Sequence, residues 1–286
     1  MYERYFCLPE PAFSPTPDPR FLWLSETHEE GLAALRYGIT RHTGFVLLTG
    51  GIGAGKTTLL RAALRGVSKG AGDAAVTALV VSTAGLTSLD LLKLIAAEYR
   101  LRVGPSGTAD LVIALKAFLL ERHRSGWHTA LIIDEAQNLL PGVLEQVRLL
   151  SNLASETDGL LQVVLTGPPE LREKLSLPGL RQLRQRIAVD HHVDPLQPGE
   201  IGPYLRHRIG VAGGRYGEIF APGADRAFAA FCCGCPRLIN LLADRVLLAA
   251  YARRQRPISA AFVERKAREL AVARAAPLPK ADGEEV

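Results

Sequence analysis

The run Gly50-Gly51-Ile52-Gly53-Ala54-Gly55-Lys56-Thr57, continued by Thr58, frames the reading of the whole chain. Glycines at this spacing before a Lys-Thr pair match the loop whose backbone N–H groups curl around phosphate oxygens. The match carries weight only where a strand leads into the loop and a helix leaves it. Both conditions hold: Phe45-Val-Leu-Leu-Thr49 is a short apolar run, as in a strand buried on both faces, and a helix is expected from Lys56 to about Val67. The start of that helix adds partial positive charge where phosphates would lie. In this reading Gly50 to Thr58 line a nucleotide, Lys56 reaches its β- and γ-phosphates, and the Thr57 hydroxyl ligates Mg²⁺.

Further along, Ala130-Leu-Ile-Ile-Asp134-Glu135 is a second apolar strand, ending in adjacent carboxylates as a Walker B element does. Asp134 would hold the magnesium, directly or through water, and Glu135 would orient and polarise the attacking water. Two acids are needed because one is committed to the metal while the other must act on the nucleophile. Joined to the loop, the pair implies hydrolysis of ATP as well as binding.

Around these landmarks strands alternate with helices. Strands are expected at 76–82, 161–166 and 187–191, and helices at 89–99, 111–123 and 144–153. Thr27 and Glu30 have the spacing of a capping box, with Leu32, Leu35 and Ile39 following at helical period. Alternation of this kind gives an α/β fold, a mostly parallel P-loop sheet with helices on both faces and ligands at the carboxyl ends of its strands. After Pro195 only helical patterns continue, near 199–209, 222–231, 236–254 and 260–272. The expected organisation is an extended proline-rich arm over 1–24, an ATPase domain over 25–195, a small all-helical lid over 196–272 and a disordered tail over 273–286.

The 286 residues are 48% hydrophobic and 22% charged, with a formal net charge of +5, which excludes fibrous and disordered classes. No stretch is apolar for the roughly 18 residues a membrane span needs, and Met-Tyr-Glu-Arg-Tyr-Phe is no secretory signal, so the protein is expected in the cytoplasm. Cys232 and Cys235 form a Cys-x-x-Cys, but neither Cys7 nor His191-His192 offers a second pair at a matching interval, so zinc is not expected. Arg253, Arg254, Arg256, Arg265, Lys266 and Arg268 are either solvated helix faces or a surface for phosphates. Arg181, Arg184 and Arg186 precede the last strand, where a guanidinium could neutralise γ-phosphate charge in a neighbouring subunit. Arg186 is the first choice for this arginine finger and Arg184 the second.

The opening Met1 to Leu22 resembles that of the general secretion pathway protein A family (ExeA/GspA-like) of AAA+ ATPases. The resemblance continues through Gly44-Phe-Val-Leu-Leu-Thr-Gly, Asp134-Glu-Ala-Gln, Leu150-Ser-Asn-Leu, Gly167-Pro-Pro-Glu-Leu and Pro236-Arg-Leu-Ile-Asn240. It implies an AAA+ sheet with a helical lid and a homo-oligomeric ring or filament. Thr166 falls where AAA+ proteins place a polar residue that helps position the lytic water, although a Thr before Pro168-Pro169 could equally cap the turn. Arg237 falls at the second sensor, which touches the γ-phosphate. Relatives work in secretion, pilus or exopolysaccharide envelope systems, which implies a protein partner there, with membrane contact only indirect. More distant TnsC/TniB-type relatives regulate transposition on duplex DNA. Full-length secretion proteins continue into a membrane helix and a peptidoglycan-binding domain. Neither appears before Val286, so the motor module is what the resemblance is expected to carry.

Overall fold

The computed structural model describes residues 1–16, 18–41, 43–67, 74–81, 84–102, 104, 107–152 and 160–275. The chain divides into two compact units, Leu24–Asp194 and the combination of Met1–Trp23 with Pro195–Val286.

In the first unit, β1 (Phe45–Gly50), β2 (Ala74–Val81), β3 (Trp127–Asp134), β4 (Gln162–Gly167) and β5 (Ile187–Val193) form one sheet. Their order is β2-β3-β4-β1-β5, and every neighbouring pair is parallel. Parallel strands need crossover connections, and helices on both faces of the sheet supply them. This is why β1 and β4 are buried at every position and read as unbroken apolar runs. On one face Phe45, Leu47, Leu131, Ile133, Val163 and Leu165 join a core with Leu91, Ile95, Leu115, Leu144 and Val147. Those residues come from the helices Ser88–Glu98, Thr108–Arg124 and Pro141–Ser151. On the other face the helix Glu26–Arg41 comes so close that a Cβ on Gly38 would lie 2.3 Å from Val46 Cγ2. Fully burying one such Leu or Val side chain contributes about 1.5–3 kcal/mol.

Caps fix where several helices begin. Thr87 and Asp90 form a reciprocal capping box, and Pro141, Pro198 and Pro236 each stand in a first turn, where no N–H is needed. The capping box expected at Thr27 and Glu30 does not form. The helix starts at Glu26, and the Ser25 hydroxyl accepts from the His28 N–H at 3.3 Å, so the cap lies earlier than the motif suggested. Two short helices, Glu170–Leu175 and Arg181–Arg184, carry no periodic signal because neither completes two turns.

The second unit holds the helices Pro198–Val211, Tyr216–Ile219, Ala224–Cys232, Pro236–Ala252 and Ala260–Ala275. Residues 1–24, expected as an extended arm, differ: the prolines do interrupt helix, but the aromatics between them are anchors. Tyr2, Phe6, Phe13 and Phe21 are buried in one core with Tyr204, Leu205, Phe228 and Val246. Residues Tyr2–Tyr5 are helical, and the Tyr2 hydroxyl donates to Asp244. Arg208, only 8% exposed, donates through Nε to the Ala12 carbonyl at 2.7 Å, and its guanidinium lies 4.9 Å from the Phe21 ring centroid. A buried guanidinium without a carboxylate is held here by a carbonyl and aromatic faces.

Gly234 shows why this sequence must turn where it does. Its φ is +73°, and a Cβ there would meet the Leu196 carbonyl oxygen at 2.1 Å. The close approach lets Leu196 N–H donate to Gly234 O at 2.9 Å. The last helix runs through residue 275, so 273–275 of the expected tail are helical, while 276–286 lie outside the described residues. So do Ser82 and Leu153, the expected ends of a strand and a helix. No helix among the described residues is long and apolar enough to cross a membrane.

Candidate active site

The strand order explains the site. β4 lies between β1 and β3, with Leu48 in register with Thr166 and Ile133 in register with Leu165. The carboxyl ends of these strands therefore bring together the glycine loop after β1, Asp134 at the end of β3 and Thr166 near the end of β4. The side chains meet as the topology requires. Asp134 Oδ1 accepts from the Thr166 hydroxyl and, at 3.0 Å, from the Glu135 N–H, while Oδ2 accepts from the Thr57 hydroxyl at 3.3 Å.

The loop follows from backbone geometry. Gly53 and Gly55 have φ of +81° and +101°, values open to glycine and strained for other residues. A Cβ on Gly51 would meet nothing within 4 Å, so that part of the backbone faces open space. Ile52 is 77% exposed at the loop tip, and the Ala54 N–H closes the turn on Gly51 O at 3.1 Å. Thr58 lies in the first turn of the helix Lys56–Val67. Lys56 folds back over the loop, where its Nζ donates to Gly50 O at 2.8 Å and Gly51 O at 3.1 Å, and it is 8% exposed.

Two supports were not legible in the sequence. Buried His28 approaches Ala54 O through Nε2 at 3.2 Å and the Ser25 hydroxyl through Nδ1 at 2.6 Å, bracing the loop from the preceding helix. Gln137 donates through Nε2 to Glu135 Oε2 at 2.6 Å. The Asp134-Glu-Ala-Gln run was part of the resemblance, but nothing in the spacing gave Gln137 a task.

The arginines are placed less closely. Arg181, Arg184 and Arg186 are all exposed at or just after the short helix Arg181–Arg184. Arg184 donates to Ser176 Oγ at 3.3 Å, whereas Arg186 reaches Ser151 Oγ at 3.1 Å and the Asn152 side-chain oxygen. Arg237 is exposed in the first turn of Pro236–Ala252, in the unit that also holds the three clustered cysteines. Burial pushes the Cys232 thiol up to about 12, so it stays protonated at neutral pH, and Cys233 is exposed. No group of three or more His, Cys, Asp or Glu able to hold a metal occurs among the described residues.

The hard oxygen donors of Thr57 and Asp134, with an ammonium and a helix start beside them, suit a phosphate-bound magnesium ion better than a softer metal. Comparison with known proteins bears on the fold that carries these residues. The family described as "AAA domain" matches residues 39–175. General secretion pathway protein A from Aeromonas hydrophila is 44% identical over 254 residues, which cover 88% of this chain and 45% of that protein. The chain thus spans less than half the length of that curated relative. Among solved structures, the Aeropyrum pernix ORC2 protein in its ADPNP–ADP complexes superposes with a TM-score of 0.68 at 18% identity, covering 90% of this chain and 71% of that one. Cdc6p from Pyrobaculum aerophilum gives 0.65 at 18% identity over 93% of this chain and 74% of its own. The Thermotoga maritima RuvB branch migration motor gives 0.53 at 17% identity over 86% and 70%. At those identities the structures speak to fold alone. Strand order, loop and comparisons agree: the chain has the P-loop AAA+ fold, carries an AAA domain and is similar to general secretion pathway protein A.

Proposed function

We propose that the chain binds Mg-ATP in the Gly50–Thr58 loop and hydrolyses it, using nucleotide state to assemble or remodel a protein partner. The observation that carries this reading is the convergence on Asp134 of Thr57 from the loop and Thr166 from β4, with Glu135 next in the chain. Lys56 would move from the loop carbonyls to the β- and γ-phosphates. Thr57 and Asp134 would hold the magnesium, which supplies charge neutralisation between the phosphates. Glu135 acts as general base on water and Thr166 helps place that water. Arg186, its guanidinium already fixed by Ser151 and Asn152, would serve a neighbouring subunit as arginine finger, and Arg237 would act as the second sensor.

Measured turnover of Mg-ATP tests this. Lys56→Ala should lose nucleotide binding, and Glu135→Gln should keep binding while turnover falls at least about a hundredfold. Full turnover in Glu135→Gln would remove the hydrolytic reading.

The similarity to general secretion pathway protein A supports a partner in a secretion system, and the family resemblance extends the proposal to a site of action at the inner face of the cell envelope. The alternative, an ATP-dependent DNA-binding regulator of the TnsC/TniB kind, rests on the basic C-terminal helices. Half of their six cations are paired locally: Arg256 with Glu218 at 3.0 Å, Lys266 with Glu269 at 2.6 Å and Arg268 with Glu264 at 3.6 Å. Tight, ATP-dependent binding of duplex DNA that weakens steeply with salt would reverse that preference.

A further inference from the structure

The turn after β3 contains a group that the proposed reaction does not yet use. Glu135 adopts the left-handed conformation (φ +55°, ψ +39°), and residues Ala136–Asn138 close a 3₁₀ turn, with Asn138 N–H donating to Glu135 O at 3.0 Å. A non-glycine residue held there is strained, and the surrounding structure must impose the conformation. Ala136 is buried with no exposed surface, and Glu135 and Gln137 on either side of it are half-buried. Glu135 and Gln137 meet there, Nε2 to Oε2, at 2.6 Å.

Three observations show that Gln137 is placed and is not a loose surface amide. Lys174, on the helix that follows β4, donates to the Gln137 carbonyl at 2.7 Å. Gly167, the residue after Thr166, gives the amide its room: a Cβ on Gly167 would lie 2.7 Å from Gln137 Oε1. Oε1 itself is buried without a hydrogen-bond partner among the described residues. The amide cannot be turned round to relieve this, because Oε1 would then face the carboxylate. Burying an unpaired carbonyl is unfavourable, so the fold would be at least as stable with an apolar side chain of the same length. The donor end, not the packing, is what the position retains.

We infer that Gln137 is the positioning residue of Glu135. By donating to Oε2 it orients the carboxylate that takes the proton from the attacking water. Because Gln137 is seated against Gly167, the strand end that carries Thr166 also sets the orientation of the base. The inference rests on the reading of Glu135 as general base.

The test is steady-state Mg-ATP turnover of the full chain, at a protein concentration where the wild-type rate per subunit has levelled off. Gln137→Met keeps the length and loses the donor. It should lower kcat about tenfold or more, leave KM for ATP within about twofold, and melt no lower than wild type. Gly167→Ala should reproduce the kcat loss by displacing the amide. In a Glu135→Gln background, Gln137→Met should slow turnover no further. An unchanged or raised kcat in Gln137→Met, while Glu135→Gln is inactive, would overturn the positioning role alone. So would a kcat loss accompanied by a lower melting temperature, which would mark a structural role. Turnover that survives Glu135→Gln would overturn the base and, with it, this inference.

Discussion

Single residues in this chain carry effects out of proportion to their exposure. Ala54 O can only accept, so the His28 Nε2 that approaches it carries the hydrogen, and Nδ1 is left to the Ser25 hydroxyl. This ties the glycine loop to the helix before β1. His28→Ala should therefore raise the Kd for ATP roughly three- to tenfold, about 1 kcal/mol, with little change in saturated kcat, as a nucleotide titration would read. Gly234→Ala combines a positive φ with a collision on the Leu196 carbonyl, and a loss of at least about 1–2 kcal/mol in urea unfolding is expected. Cys232 links stability to pH. Burial raises its thiol from 9.0 to about 12, so the native state keeps a proton that the unfolded chain gives up. The sign follows: the contribution is fully present below about pH 9 and is lost as pH rises from 9 towards 12, by a few kcal/mol at most. Under reducing conditions the urea midpoint of the wild type should fall more between pH 8 and 10.5 than that of Cys232→Ala. Equal falls would mean that the thiol is not coupled to folding.

At the scale of elements, what was legible depended on repetition. The parallel strands announced themselves because burial on both faces demands continuous apolar runs, and the helix Lys56–Val67 because a glycine loop fixed its start. The loop, the Asp134-Glu135 pair and Thr166 were visible for the same reason, each marking the end of a strand. One-turn helices such as Arg181–Arg184 repeat nothing, and a capping box at Thr27 was outcompeted by Ser25, whose hydroxyl lies beside the first unpaired N–H groups. Supports such as His28 and Gln137 depend on contacts between segments that spacing does not encode. The N-terminal segment gave the largest difference. Its prolines dominate the local reading, yet Phe6, Phe13 and Phe21 between them fill a core shared with the C-terminal helices. Phe13→Ala should then destabilise that unit by about 3–5 kcal/mol, seen as faster amide exchange in Pro198–Val211 and Pro236–Ala252 than in β1 or β4. An arm lying free on the surface would leave those exchange rates unchanged.

For the whole molecule, the distribution of site residues makes a statement about assembly. Thr57, Asp134 and Thr166 meet within one chain, whereas Arg184 and Arg186 are exposed on the short segment before β5 and, among the described residues, bond only to the neutral side chains of Ser176, Ser151 and Asn152. If Arg186 completes a neighbour's site, the contact is head-to-tail: the loop of one copy faces the arginine of the next. Turnover per subunit should then rise with protein concentration and level off once assembly is complete. Variants sharpen the test. Lys56→Ala removes the loop's function and keeps Arg186, while Arg186→Ala does the reverse, so each alone should be nearly inactive. Mixed in equal amounts, they create interfaces at which an intact loop meets an intact arginine, and random assembly would restore about a quarter of wild-type turnover. A mixture no more active than its parts, with assembly intact by light scattering, would place the arginine finger elsewhere, and Arg184→Ala in the same mixing experiment would be the next measurement.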